Sequence, residues 1–286
     1  MVGTSLMVTV DRGEQLNEFE VEVECLMEAL YLRWGYDFRE YSRASLRRRV
    51  ARYMSDNHFQ RLCDLQHDLI RNKKRCVHFV RGLTVNVTDM FRDPKFYRVI
   101  REQVVPELRS HPFIKIWHAG CSTGEEAYSM SILLHEEGLG ERAVIYATDI
   151  NSQVLEQASK GVYHEKMLLA ARENYGATGG SNRLDDFISV GYERFLIDPE
   201  LKKNIVFTQH DLVTDQVFGE MQMVICRNVL IYFRRELQTK VLTLFHNSLD
   251  MGGFLGLGMK ESLRSLPNSI RYKAIDESAR VFQRVD

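Results

Sequence analysis

The sequence predicts an α/β fold: a mostly parallel sheet covered by helices on both faces, with a small all-helical domain ahead of it. Three observations carry this expectation. From Ile114 onward, short apolar runs alternate with helical stretches, as strands joined by crossover helices do. The first of those runs empties into a turn bounded by Gly120 and Gly124, and an amphipathic stretch over 127–135 follows, which reads as strand, tight loop and helix start. The first eighty residues, in contrast, place apolar side chains only at helical spacing.

Taken in order, residues 1–17 are polar and read as a frayed end. Phe19, Val23, Leu26, Met27 and Leu30 predict a helix over 19–34 that Gly35 ends. A second helix, 44–57, sets Leu46, Val50, Tyr53 and Met54 on one side and Arg43, Arg47, Arg48, Arg49 and Arg52 around much of the rest. Two more helical patterns cover 59–71 and 74–83, so residues 1–83 form the helical domain and 84–286 the α/β domain. Strands are expected at 114–117, 144–147, 205–208, 223–226 and 254–257. Between Tyr163 and Leu201 the rhythm is broken by Gly176, Gly179, Gly180 and Asn182; short alternating runs at 187–192 and 194–197 then predict a small β-hairpin subdomain over 187–207.

Composition narrows the class. With 44% hydrophobic and 27% charged residues the chain is an ordinary globular protein. The net charge of -1 hides a basic stretch: residues 30–81 hold 13 Arg and Lys against 5 Asp and Glu, which suits an acidic partner. Cys25, Cys63, Cys76, Cys121 and Cys226 show no metal spacing or CxxC pair, and the histidines form no metal-binding arrangement, so reduced thiols in the cytoplasm and no metal are expected. No signal peptide and no apolar run long enough to span a membrane is seen.

The residues that could carry chemistry cluster at strand ends. Gly120 and Gly124 lack a Cβ, so backbone can come close to a ligand there. Glu125 and Glu126 occupy the first helical turn, where they would repel a phosphate and suit a cationic ligand. Asp149 ends the second strand and either binds ribose hydroxyls or caps the following helix, with the neighbouring glycine loop favouring the ligand. Asp211 follows the third strand, at the adenine end of such a ligand or as a plain loop acid. Asn228 and Tyr232 leave the fourth strand: Asn228 can offer polar groups to the ligand's tail, and Tyr232 either places a hydroxyl near the reaction or simply packs. The segment from Asn86 to Arg92 reads as a helix N-terminus capped by Thr88 or Asp89, with Arg92 available to orient a carboxylate.

Four ordered motifs, N-V-T-D-M-F-R from Asn86, A-G-C-S-T-G-E-E from Ala119, A-T-D-I around Asp149 and C-R-N-V-L-I-Y-F from Cys226, resemble the chemotaxis-receptor methyltransferase (CheR) family. The resemblance implies a Rossmann-like S-adenosylmethionine-dependent methyltransferase domain with an N-terminal all-helical domain and a small inserted antiparallel β-subdomain. It implies methyl transfer to glutamate carboxylates on the cytoplasmic helices of chemoreceptors, leaving S-adenosylhomocysteine. Carried over position by position, it gives Asn86, Thr88, Arg92, Glu126, Asp149, Asp211, Leu212, Asn228 and Val229, beside Gly120, as cofactor-contacting positions. Asparagine is common in the family where Asp211 stands. Arg92 and Tyr232 match residues near the transferred methyl, and Arg47, Arg48, Arg49 and Arg52 match the surface presented to the receptor helix. The hairpin over 187–207 is slightly shorter than in members that grip a receptor's C-terminal pentapeptide, so a tether-independent, monomeric enzyme is expected.

The implied chemistry agrees with the charges. A sulfonium cofactor is cationic, and a glutamate acceptor with a pKa of about 4.3 is ionised at neutral pH and needs no general base. A nucleic-acid methyltransferase fits less well: the fourth-strand motif is not N-P-P-Y, and the basic helix lacks interleaved aromatics for base stacking.

Overall fold

The computed structural model describes residues 17–83, 88–267 and 269–286, so the polar N-terminal stretch, Asn86 and Asn268 lie outside the described residues. The chain divides into two compact units, one helical and one built on a sheet.

The helical unit contains α1 (Glu18–Trp34), α2 (Arg43–Asp56), α3 (Leu62–Arg71) and α4 (Lys73–Leu83). Asn17 and Glu20 form a reciprocal capping box at the start of α1, and Gly35 closes its end at φ 81. Leu26, Met27, Leu30, Val50, Leu65, Leu69 and Phe79 are fully buried and form the unit's core. The third helix begins at Leu62 rather than at residue 59. His58 turns left-handed at φ 59 and Phe59 N–H donates back to the Met54 carbonyl, which ends the preceding helix and delays the next.

The second unit opens with α5 (Pro94–Val99), continued through one π-helical turn into α6 (Val105–Leu108). There follow β1 (Ile114–Ala119), α7 (Glu125–Glu136), β2 (Ala143–Asp149), α8 (Ser152–Lys160), β3 (Val162–His164), α9 (Leu168–Gly176), β4 (Ile188–Val190), β5 (Arg194–Ile197), α10 (Pro199–Lys202), β6 (Ile205–Gln209), β7 (Met221–Cys226), α11 (Arg235–Ser248), β8 (Leu249–Leu257), β9 (Tyr272–Asp276) and β10 (Val281–Arg284). Seven strands form one sheet in the order β6-β2-β1-β7-β8-β10-β9. The first five run parallel, and β10 and β9 add antiparallel at one edge.

Successive residues of β1 feed opposite faces: Ile114 and Ile116 join one buried cluster with α5–α7, and Trp117 and Ala119 join another with α11. The doubly covered parallel sheet expected from the alternation is thus observed. The edge pair β9 and β10 was not expected, because Tyr-Lys-Ala-Ile-Asp and Val-Phe-Gln-Arg are too short and too polar to read as sheet. The small antiparallel sheet, order β3-β5-β4, also differs from the hairpin expected over 187–207. It recruits Val162–His164 as a third strand, and Ile205 onward runs in the large sheet against β2. A three-residue strand carries too short a pattern to announce itself.

Candidate active site

Strand order reverses between β1 and β7: the chain walks outward from β1 through β2 to β6, then crosses back to β7. In open parallel sheets ligands bind beyond the carboxyl ends of the strands at this switch point. The loops after β1 and β7 are therefore the walls of the candidate site.

The loop after β1 is held from β2. Gly120 N–H and Cys121 N–H both donate to the Thr148 carbonyl at 2.8 Å, and Ser122 N–H donates to Asp149 Oδ2 at 3.0 Å. Gly120 and Gly124 stand at φ 79 and 92, and Ser122 at φ 52. Asp149 Oδ1 accepts from Asn151 N–H at 2.9 Å, and it is Asn151, accepting from Gln153 N–H, that caps α8. The capping reading of Asp149 is thereby corrected: Asn151 is the cap, and the Asp149 carboxylate closes the loop after β1. Burial raises its pKa, and the backbone donors work against that rise. The Ser122 hydroxyl is buried and has no hydrogen-bond partner among the described residues.

The first turn of α7 is more committed than its sequence suggests. Glu125 is 3% exposed, takes the Thr123 hydroxyl on its carboxylate, and is pushed up by burial to a pKa of about 7. Tyr163, on β3, donates its hydroxyl to the Thr123 carbonyl at 2.7 Å, which fastens the small sheet to this loop. Ser129 Oγ donates to the Glu125 carbonyl and accepts from Phe91 N–H at 2.8 Å, which pins the segment before α5 against α7.

Glu126 lies 2.7 Å from Arg227 and 3.3 Å from His118 Nδ1. Burial pushes its pKa up, but Arg227 and His118 outweigh that and hold it below the usual carboxylate range. Arg227, 1% exposed in its side chain, also donates to Asp93 at 2.6 Å and to the Arg92 carbonyl, and its guanidinium sits 4.4 Å above the Phe96 ring. The expectation of two carboxylates suited to a cationic ligand is replaced by one buried under the Thr123 hydroxyl and one paired with Arg227.

The loop after β7 hangs on a distant acid. Glu261, 4% exposed, accepts backbone N–H groups from Asn228 (3.1 Å), Val229 (2.8 Å), Leu230 (2.8 Å) and Gly258 (2.6 Å). Asn228 is left-handed at φ 62, a conformation Asn tolerates better than most residues. The two loops touch: a Cβ on Gly120 would lie 2.5 Å from Val229 Cγ2. Tyr232 follows in a single 3-10 turn, Leu230–Tyr232, and is half-buried.

Of the remaining expected residues, Thr88 and Arg92 are half-buried in the irregular segment ahead of α5. Neither Thr88 nor Asp89 caps a helix: α5 starts at Pro94, whose fixed φ suits a first helical position, with left-handed Asp93 before it. Asp211 accepts from Val213 N–H at 2.8 Å and so closes its own turn, and Leu212 is buried beside it. His210 N–H reaches the Asp149 carbonyl, which puts Asp211 at the same edge of the sheet. In the helical unit Arg47 pairs with Glu20 at 2.8 Å and Arg52 with Asp56 at 3.5 Å, and Arg48 is exposed. Arg49 is a correction: it is 8% exposed and donates to the Leu83 carbonyl, so it joins α2 to the end of α4 instead of facing a partner. Arg227 and Glu261, the two residues that hold the site together, were not expected in any role.

A positively charged nucleoside fits what is present. The loop turns through left-handed Gly120 and Gly124, Asp149 offers a carboxylate beside it, and the buried Ser122 hydroxyl is unpartnered among the described residues. Residues 86–278 match the CheR methyltransferase, SAM binding domain, and residues 22–84 match the CheR methyltransferase, all-alpha domain. A Pseudomonas putida protein named Cher3 is 43% identical over 265 residues, covering 93% of this chain and 97% of its own. Chemotaxis protein methyltransferase 1 of Vibrio cholerae is 32% identical over 77% of this chain and 82% of its own, and the chemotaxis protein methyltransferase of Listeria innocua 31% over 80% and 85%. Nearly full-length similarity, joined to a glycine loop and an acid at the switch point of a parallel sheet, leads to one conclusion: the chain belongs to the CheR methyltransferase family and is an S-adenosylmethionine-dependent methyltransferase.

Proposed function

We propose that this enzyme methylates glutamate side chains on chemoreceptor helices, forming glutamyl methyl esters. The observation that carries the reading is how the charged groups of the site are used. Arg227 is paired with Glu126 and Asp93, and Glu261 is saturated by four N–H groups, so neither is arranged to move a proton. Such a site suits an acceptor that is already nucleophilic, and an ionised carboxylate is one. The names of the Vibrio and Listeria relatives support a chemotaxis substrate.

When bound, S-adenosylmethionine supplies an electrophilic methyl on a cationic sulfur. Asp149 would take the ribose hydroxyls, the loop that turns at Gly120 would present its backbone to the ligand, and Thr88, Asn228 and Val229 would line its polar tail. Asp211 and Leu212 would flank the base, with Asn86 and Glu126 completing the set that the family resemblance implies. Arg92 orients the acceptor carboxylate, and the Tyr232 hydroxyl fixes its distance from the methyl; alignment and exclusion of water provide the acceleration. Arg47, Arg48 and Arg52 meet the acidic receptor helix, without Arg49. The length of the segment over 187–207, set beside that of tethering members, favours receptor recognition without a pentapeptide tether, by a cytoplasmic monomer.

The test is transfer of labelled methyl from S-adenosylmethionine to receptor-containing membranes. Label released by mild base identifies an ester; base-stable label, or none, refutes the acceptor. Tyr232→Phe is expected to slow transfer by about tenfold, the worth of one positioning hydrogen bond, with the affinity for S-adenosylhomocysteine unchanged.

A further inference from the structure

We infer that Glu261 is a positioning residue for methyl transfer, one that sets affinity for the methyl donor by holding the turn that begins at Asn228. The inference rests on the reading that Asn228 and Val229 face the donor.

Three consecutive N–H groups, those of Asn228, Val229 and Leu230, converge on this one carboxylate, and Gly258 N–H supplies a fourth. Each oxygen takes two: Oε2 from Asn228 and Gly258, Oε1 from Val229 and Leu230. That uses the acceptor capacity of an ionised carboxylate in full. No neutral side chain can reproduce the pattern, because an amide offers one accepting oxygen and turns two donors against the rest. Burial raises the Glu261 pKa and the four donors offset that rise only in part, yet four N–H groups on two oxygens are the geometry an ionised carboxylate accepts.

The register shows how the acid reaches the turn. Cys226 of β7 pairs with Leu257 of β8, so the two strands end side by side. Glu261 N–H then returns to the Gly258 carbonyl at 2.9 Å, and this tight turn swings the carboxylate across to the neighbouring strand's loop. Space for the swing exists because residue 258 is glycine. A Cβ there would meet Asn228 N at 2.7 Å and Glu261 Oε2 at 2.8 Å. Release of the turn would carry Val229 away from Gly120, so the effect would reach the loop after β1 as well.

The experiment is steady-state methyl transfer to receptor membranes, with KM determined separately for S-adenosylmethionine and for receptor, in wild type, Glu261→Gln and Gly258→Ala. Glu261→Gln is expected to raise KM for S-adenosylmethionine, and Kd for S-adenosylhomocysteine by calorimetry, about tenfold or more with the receptor KM unchanged. A role confined to stability would lower the active fraction, hence the maximal rate, and leave the donor KM at the wild-type value; that result overturns the inference. Gly258→Ala keeps the carboxylate and crowds the same contact, so it decides the matter should Glu261→Gln not fold. Its donor KM is expected to rise several-fold, and a wild-type value refutes the role. Wild-type enzyme that fails to bind S-adenosylhomocysteine would sink the underlying reading, whereas tight wild-type binding with unshifted variants sinks Glu261 alone.

Discussion

The loops after β1 and β7 face the same switch point, are each tied to a carboxylate from another segment, and differ in how their backbone is shaped. The first is built from residues that tolerate its shape: Gly120 and Gly124 take positive φ at no steric cost, and the carboxylate of Asp149, 27 residues on, ties it through the Ser122 N–H. The second has no glycine between Arg227 and Tyr232, puts Asn228 into the left-handed region, and depends on a carboxylate 33 residues away. Both loops are thus tied from far along the chain, but only the first is eased by glycine. Arg227 joins the two, reaching from the base of the second loop to Glu126 in the helix that the first loop opens.

That joint is the place where the comparison breaks most severely. Arg227→Met takes a buried cation from Glu126, 16% exposed, and from Asp93, 35% exposed; loss of one member of a fully buried pair costs about 3–5 kcal/mol, which is the upper bound here. The melting temperature is expected to fall by about 10 °C, read by thermal denaturation; a fall of a degree or two would mean the loops are held separately. Gly120→Ala sharpens the contrast. It places a Cβ at φ 79 and 2.5 Å from Val229 Cγ2, so affinity for S-adenosylhomocysteine should drop by about 10- to 100-fold in calorimetry, beyond any loss of stability.

The smallest effect is a slope. Burial raises Glu125 from 4.5 to about 7, so between those values the folded chain holds a proton that the unfolded chain has released. Stability therefore declines as pH rises from about 4.5 and levels off above about 7. Glu125→Gln should flatten that decline in melting temperature measured from pH 5 to 8. An unaltered slope would place the titration elsewhere, with Asp149 and Glu261 the nearest alternatives because burial raises both.

Distance along the chain decides what could be read from it. The glycine turn, the five parallel strands and the four N-terminal helices all announce themselves within a short window, and the structure has them. Asp149 was picked out for its position, although its service to Ser122 and Asn151 was not. Arg227 meets Glu126 and Asp93 at separations of 101 and 134 residues, and no local pattern encodes such a meeting. Arg49 misled for a related reason: in a run of three arginines, helical rotation alone decides which one turns inward to Leu83. The antiparallel pair escaped because β9, at the sheet edge, is largely polar and β10, paired on both sides, offers only Val281 and Phe282 as buried apolar residues.

The contact between Gly120 and Val229 has a consequence for how this sequence can drift. With valine at 229, a methyl group at 120 has nowhere to go; trimmed to alanine, position 229 would leave its nearest atom 3.6 Å from that methyl, an ordinary van der Waals distance. Only the backbone twist at 120 would then resist the change. The two sites, separated by more than a hundred residues of chain, form one evolutionary unit, in which 229 must shrink before 120 can grow.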